Sequence, residues 1–390
     1  MEGCIIVLVF SSHVSRPTSL GTLMTICLFF LALFSFTMLL TNFFVPQCLG
    51  WLWRHFPDRH EHKPSTIHKL SVVLPVFNEE KLIARRLQNV LEALKETDCP
   101  HEVLIGSDGS EDKTVNVAMK FIEEHGLLER WKVFEFPNEG KGRTINKLVH
   151  HSTGELVIST DCDVSMDSHA IDGILKAFEA DDQLGCVSCV PEFSHDSHNT
   201  QSFYWDIEMK IRETESQMGF LIVVTGWLYA FRRSLYKDIP TGAMADDLWV
   251  PLSILAQEYR CSHLSEIKAF SEETDERTEI KRRERVISGG ADIVKRLLGQ
   301  LLREPELLAI VFLHKINRWL VPVWGVLFLI SSICLMPPLI IVYVIGLVIA
   351  GVYFGPQRLM FIFQSLYAPV LSFLHMRRKK DLSKWEKTRI

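Results

Sequence analysis

The 390-residue chain lacks any excess of positive charge. Its formal net charge is −5, which excludes the basic surface expected of a nucleic-acid-binding protein. It also lacks a glycine-rich phosphate loop. The Gly-Lys step of "GKGRT" (140–144) has no upstream glycine at Walker spacing, and no G-x-G-x-x-G follows the first strand-like segment. Those absences weigh against P-loop NTPases and dinucleotide-dependent dehydrogenases. Of nine cysteines only Cys186 and Cys189 form a C-x-x-C, and no second pair or histidine pair completes a zinc set. We read these two as small strand residues, and the cysteines together as reduced thiols in a cytoplasm.

Charge is missing altogether from residues 19–46, a stretch long enough to cross a hydrocarbon core of roughly 30 Å. No small-residue cleavage site is evident, so an anchor is expected here and not a signal peptide. Arg54, Arg59 and Lys63 come after the stretch, whereas Arg16 is the one Lys or Arg before it. The positive-inside rule therefore puts the segment after the anchor in the cytoplasm. A second apolar run, 319–354, is too long for one span and is divided by Pro337-Pro338, which predicts a hairpin. The shorter run 359–374 is either interfacial, re-entrant or spanning, and the "RRKK" after it (377–380) favours a cytoplasmic C-terminus.

Between these ends the patterning is that of an α/β domain. "KLSVVLPVF", "HEVLIGSD", "WKVFEF" and "ELVISTD" read as strands, and amphipathic helical segments separate them. Such alternation predicts a mostly parallel sheet covered by helices, with ligands at the carboxyl ends of the strands. The polar clusters "PVFNEE", "SDGSED" and "TDCDVS" all fall at those ends. In the last of them Asp161 and Asp163 repel each other, and either a hard divalent cation or a set of basic residues would relieve this.

Six motifs then agree in order and spacing: "VVLPVFNEE", "EVLIGSDGSEDKT", "EGKGRTINK", "ISTDCDVSMD", "TGWLYAFRRS" and "MADDLWVPLSI", with "EIKRRERVISGG" after them. This set resembles the family-2 glycosyltransferases with a GT-A fold, over about residues 70–290. With the apolar flanks and the closing "KWEKTR", it is most similar to their membrane-anchored, polysaccharide-synthase-like bacterial branch. The resemblance implies six parts: a membrane anchor over 1–54, a basic cytoplasmic linker over 55–69, a GT-A nucleotide-sugar-binding catalytic domain over 70–290, an amphipathic segment over 291–318, a membrane hairpin plus short apolar segment over 319–376, and a basic tail over 377–390. The amphipathic segment would lie in the membrane interface or pack on the catalytic domain.

The resemblance also assigns roles. Pro75, Phe77 and Glu79 would cradle base and ribose, and Asp108 would contact the base, with Ser107 replacing the acid that usually precedes it. Lys141 would lie near the diphosphate. Asp161 and Asp163 match the family's D-x-D, with Asp163 on a divalent cation (Mn2+ or Mg2+) and Asp161 on the ribose or the metal. Asp247 matches the catalytic base, beside Asp246, and Trp227, Arg282 and Arg285 would serve the acceptor or diphosphate side. At the position of the processive Q-x-x-R-W motif stands "RRERV", with Val286 for the stacking tryptophan, which favours single-sugar addition.

The implied function is metal-dependent, inverting transfer from a nucleotide sugar, UDP being the nucleotide the family mostly uses, to a glycan or lipid-linked acceptor. It would take place at the cytoplasmic face of an inner membrane that the chain crosses several times, in exopolysaccharide or cell-envelope glycan synthesis. The competing readings are a processive polysaccharide synthase, a polyprenyl-phosphate sugar synthase and a non-catalytic membrane scaffold. The last would be expected to have damaged the acid set, and Asp108, Asp161, Asp163 and Asp247 are all present.

Overall fold

The computed structural model describes residues 19–42, 44–55, 63–193, 200–243, 245–271, 279–339, 341–342 and 345. Eight strands form one sheet in the order β3-β2-β1-β4-β7-β6-β8-β5. They are β1 (Leu70–Val76), β2 (His101–Asp108), β3 (Trp131–Phe136), β4 (Leu156–Thr160), β5 (Val164–Met166), β6 (Leu184–Phe193), β7 (Leu228–Arg232) and β8 (Arg260–Ser271). The half built from β3, β2, β1 and β4 is parallel, as the alternation predicts. The other half is not. β7 runs antiparallel to both β4 and β6, and β5 antiparallel to β8, while β6 and β8 are parallel. The sheet is therefore mixed. β7 follows a helix over Thr200–Gln217 and a loop over 218–227, yet it returns between β4 and β6 antiparallel to both.

The central strands are apolar throughout because both faces are covered; every residue of β1 and β4 is buried. On one face pack α3 (Ile83–Lys95), α4 (Thr114–Glu124) and α6 (Ala170–Ala180). On the other pack α5 (Lys141–His151), α7 (Thr200–Gln217), α8 (Asp246–Leu255) and α9 (Glu279–Leu301), joined by α2 (Val45–His55) through Val45 and Leu49. Gly106 of β2 lets α5 approach closely, since a Cβ there would stand 2.9 Å from Thr144 Cγ2. The expected amphipathic segment divides its faces: Ile293, Leu297 and Leu301 are buried in the core on this face of the sheet, and Leu298 and Leu302 are exposed.

α1 (Ser19–Thr41) is the one helix among the described residues that is by itself long and apolar enough to cross a membrane, over Thr22–Thr41. Beyond α9 come α10 (Pro305–Val311), a π-helical turn (Phe312–Ile316), α11 (Asn317–Trp319) and α12 (Val321–Leu335). Pro305–Trp319 and Val321–Leu335 pass the same test only as a pair bent by 67°. α1 and α12 pack side by side, with Phe36 stacked on Phe328 at 5.4 Å and Phe34 edge-on to Trp324 at 5.6 Å. Asn317 Nδ2 donates to Met38 O and Thr41 Oγ1 at 3.1 and 2.8 Å. A turn at Pro337-Pro338 ends α12, as the sequence suggests; the run 359–374 and the basic tail lie outside the described residues.

Candidate active site

The loops after β1, β2 and β4 meet at one edge of the sheet, because those strands are parallel neighbours. Pro75 is buried within β1, opposite Gly106, while Phe77 and Glu79 stand just beyond its end. The first two loops are tied together: Asn78 N donates to Ser110 Oγ at 3.0 Å, Glu79 N to Thr114 Oγ1 at 2.7 Å, and Glu111 N to Asn78 Oδ1 at 2.8 Å.

Asp108 differs from its expected role at the base. It is fully buried, its Oδ1 accepts from Glu139 N and Thr144 Oγ1 at 2.9 and 3.0 Å, and its Oδ2 accepts from Gly140 N at 2.9 Å. Its carboxylate is engaged inside the protein, where it fixes the start of α5. Burial raises its pKa, against those hydrogen bonds. Its part is to place Lys141, the first residue of that helix.

Lys141 joins the site's two acidic motifs. Its Nζ lies 2.8 Å from Asp161 Oδ1 and 3.4 Å from Asp246 Oδ2. Burial opposes its charge, but Asp161 and Asp246 outweigh burial and hold the ammonium well above the usual lysine range. Asp161 is pushed up to about 6, first by burial and then by Asp163 and Asp246, with Lys141 acting the other way. Asp246 and Asp247 open α8, where the helix dipole favours negative charge. Tyr229 OH donates to Asp246 Oδ2 at 3.3 Å. Burial and the Asp246 carboxylate raise the Asp247 pKa, against Lys141, Lys315 and Arg212.

The loop before β7 closes this edge. Trp227 O accepts from Asp161 N at 3.2 Å and Thr160 Oγ1 at 2.8 Å, and Val224 N donates to Asp247 O at 2.9 Å. Gly226 passes so near that a Cβ would stand 3.7 Å from Lys141 Nζ and 4.0 Å from Asp247 Cβ. The Trp227 ring is partly buried against the core that holds α3. The structure thus brings Lys141, Asp161, Asp246, Asp247 and the Trp227 backbone together. Arg282 and Arg285 fall on α9, and their side chains lie outside the described residues.

One site residue escapes the sequence reading. Arg86 of α3 is buried beneath the Asp161–Asp163 turn, donating through Nε to Asp161 O at 3.1 Å and through its two terminal nitrogens to Thr160 Oγ1 and Asn89 Oδ1. Asn89 grips the far end of the turn, giving Nδ2 to Met166 O and receiving Met166 N on Oδ1, both at 2.9 Å. Burial lowers the guanidinium to about 10, while Cys162, Asp161 and Asp163 favour its charge. The available signal was an arginine on the apolar stripe of α3, between Ile83 and Val90. Arg86→Met should destabilise the protein by about 2–4 kcal/mol, because it leaves a buried carbonyl and hydroxyl without their charged donor. Arg86→Lys should cost less, and thermal unfolding of the two variants checks this.

Arg86 thus stands beside the carboxylates of Asp161 and Asp163, and Lys141 beside those of Asp161, Asp246 and Asp247. Among the described residues no three His, Cys, Asp or Glu side chains form a metal cluster. Two carboxylate donors still fit Mg2+ or Mn2+, which complete their shells with substrate phosphates and water.

Comparison with known proteins bears out the resemblance. The model of Glycosyl transferase family 2 matches residues 71–240. A "Dolichyl-phosphate beta-glucosyltransferase" of Drosophila melanogaster is 30% identical over 183 residues, 44% of this chain and 52% of that protein. A "Poly-beta-1,6-N-acetyl-D-glucosamine synthase" of Staphylococcus epidermidis is 24% identical over 213 residues, 53% of this chain and 50% of that one. The chain thus spans about half the length of these two curated relatives, and 32% of the mouse "Dolichyl-phosphate beta-glucosyltransferase". Among solved structures, the mannosyltransferase PcManGT from Pyrobaculum calidifontis, in complex with GDP-Man and Mn2+, shares the fold with a TM-score of 0.67 at 23% identity. That match covers 90% of this chain and 100% of PcManGT. Residues 71–240 thus match the glycosyl transferase family 2 model, and the chain shares the fold of PcManGT.

Proposed function

We propose that this chain is a membrane-bound, metal-dependent, inverting glycosyltransferase. It moves a sugar from a nucleotide-sugar donor to a hydroxyl of a glycan or lipid-linked acceptor at the cytoplasmic face, in envelope or exopolysaccharide synthesis. The observation that carries the reading is the Lys141 bridge, which sets the D-x-D turn and the Asp246–Asp247 pair within one side chain's reach. Asp163, with Asp161, would hold the divalent cation. When bound, it would supply charge stabilisation to the departing nucleoside diphosphate. Lys141 adds a fixed positive charge on the same side, kept in place by Asp246 and, through it, Tyr229. Asp247 takes the proton from the acceptor hydroxyl; its raised pKa makes it a stronger base than an ordinary aspartate.

The names of the relatives favour a second reading, transfer to a polyprenyl phosphate. "Undecaprenyl-phosphate 4-deoxy-4-formamido-L-arabinose transferase" of Enterobacter sp. is 30% identical over 132 residues. Membrane residence is supported by α1, with Phe29, Phe30, Leu33 and Phe34 exposed, and by the apolar exterior of α12, with Val326 and Ile330 exposed. An impermeant thiol reagent applied to intact cells should miss a cysteine introduced over 58–63; labelling there would reverse the orientation.

The test of the whole reading is a nucleotide-release screen of the purified protein against UDP-, GDP- and dTDP-sugars with Mn2+ or Mg2+. Release from at least one donor is expected, and release from none would refute it. On that donor, kcat/KM should fall on the acid side with an apparent pKa near 6. Asp161, raised to about 6, must be ionised to hold a cation, and kcat/KM reports the free enzyme. A profile flat down to pH 4.5 would contradict this.

A further inference from the structure

The acids of α7 take no part in the site just described, yet Glu208 and Glu215 are almost completely buried. His314, fully buried in the π-helical turn, sits between them, with Nδ1 2.6 Å from Glu215 Oε1 and Nε2 3.1 Å from Glu208 Oε1. Lys315 Nζ lies 3.3 Å from Glu208 Oε1, and Arg318 Nη1 lies 2.6 Å from its Oε2. Arg212, one turn along α7, completes the set with Nε 3.3 Å from Glu208 Oε1. Burial opposes the ionised form of Glu208. Lys315, His314 and Arg318 overcome burial and hold it well below the usual carboxylate range.

A buried charge set of this kind gives little net stability over apolar side chains of the same volume. What it does give is a fixed register between the parts it joins. One part is the segment running into α12. The other is the loop at the active site. Arg212 Nη1 donates to Thr225 Oγ1 at 3.0 Å, and Thr225 is anchored in turn to β6, through its N to Ser188 Oγ at 2.7 Å and its Oγ1 to Cys189 O at 3.1 Å. Thr225 lies between Val224, whose N–H holds the Asp247 carbonyl, and Gly226, which passes beside Lys141 and Asp247. At the other end of the loop, Ile222 N donates to Glu215 Oε2 at 3.4 Å. The same cluster therefore grips the loop at Ile222 and at Thr225.

We propose that Arg212 and His314 are positioning residues: the His314–Glu208–Glu215 clamp seats the segment entering α12 on α7, and Arg212 carries that seating through Thr225 to the loop that holds Asp247. The proposal rests on the reading of Asp247 as the base. It makes the geometry at Asp247 depend on how the helix leading to the apolar bundle is seated.

The test uses the full-length protein with Arg212→Met, His314→Gln, Thr225→Val and Thr225→Ser. Thr225→Val removes the hydroxyl that receives Arg212 and leaves the clamp itself untouched, while Thr225→Ser keeps that hydroxyl. Nucleoside-diphosphate release is measured on whichever donor the wild type turns over, and amide exchange is followed over 221–228 and over β1 and β2. Arg212→Met, His314→Gln and Thr225→Val should lower kcat about tenfold or more with donor KM within about threefold, and Thr225→Ser should restore most of the rate. Exchange should quicken over 221–228 and stay unchanged in β1 and β2. Equal losses in Thr225→Val and Thr225→Ser, kcat and KM moving together, or unchanged exchange over 221–228 would each overturn the proposal. If the wild type releases nucleotide from no donor, the reading of Asp247 fails, and the exchange data still decide whether clamp and loop are coupled.

Discussion

Asp247→Asn is expected to lower kcat by about 10²-fold or more while donor KM changes little. The amide keeps the size of the side chain and can still hydrogen-bond, but it cannot accept a proton. Burial and the neighbouring Asp246 carboxylate both disfavour the charge of Asp247. Asp246 instead meets Lys141 and the Tyr229 hydroxyl. Asp246→Asn can keep the tyrosine contact and loses a partner of Lys141, so it should cost much less in kcat and act mainly on donor KM. Steady-state kinetics of the two variants on one donor separates these outcomes. A large loss in Asp246→Asn with none in Asp247→Asn would exchange their roles. The pair of variants also discriminates between acceptors. A phosphate acceptor is already anionic and needs no base, so a lipid-phosphate acceptor predicts little loss in Asp247→Asn.

The second large effect is expected at the D-x-D turn. A chelator should stop donor turnover, Mn2+ or Mg2+ should restore it, and Asp163→Ala should abolish it in the presence of either ion. The fold should survive Asp163→Ala, because the substitution removes a carboxylate that helps to raise the Asp161 pKa, and Arg86 and Asn89 hold the turn through its backbone and Thr160. Thermal unfolding at or above the wild-type midpoint, alongside a complete loss of turnover, is the expected combination. Full activity in excess chelator would sink the assignment.

The parallel half of the sheet and the loops at its carboxyl edge were legible in the sequence, because buried strands and amphipathic helices leave different periods. The directions of β5 and β7 were not: β5 follows β4 with no helix between them, and β7 returns antiparallel although α7 precedes it, so strand–helix alternation does not fix either sense. Lys141 and the acids around it were legible from motif order. Asp108 was placed at the right edge but facing the wrong way: a motif match carries position and not the hydrogen bonds of Glu139, Gly140 and Thr144 that draw the carboxylate inward. Arg86 left a trace as a charge on an apolar stripe. The Glu208–His314 clamp left none that could be read. Its partners stand 106 residues apart, and each alone resembles an ordinary polar residue of a surface helix.

The central claim is that Asp161, Asp163 and Lys141 form a cation-assisted nucleoside-diphosphate site, and calorimetric titration of UDP and GDP tests it most directly. One of the two nucleotides should bind the wild type with Mn2+ present and at least about tenfold more weakly with Mn2+ chelated, and Asp163→Ala should abolish the Mn2+-dependent part. Binding of equal strength with and without Mn2+, unaltered by Asp163→Ala, would contradict the account.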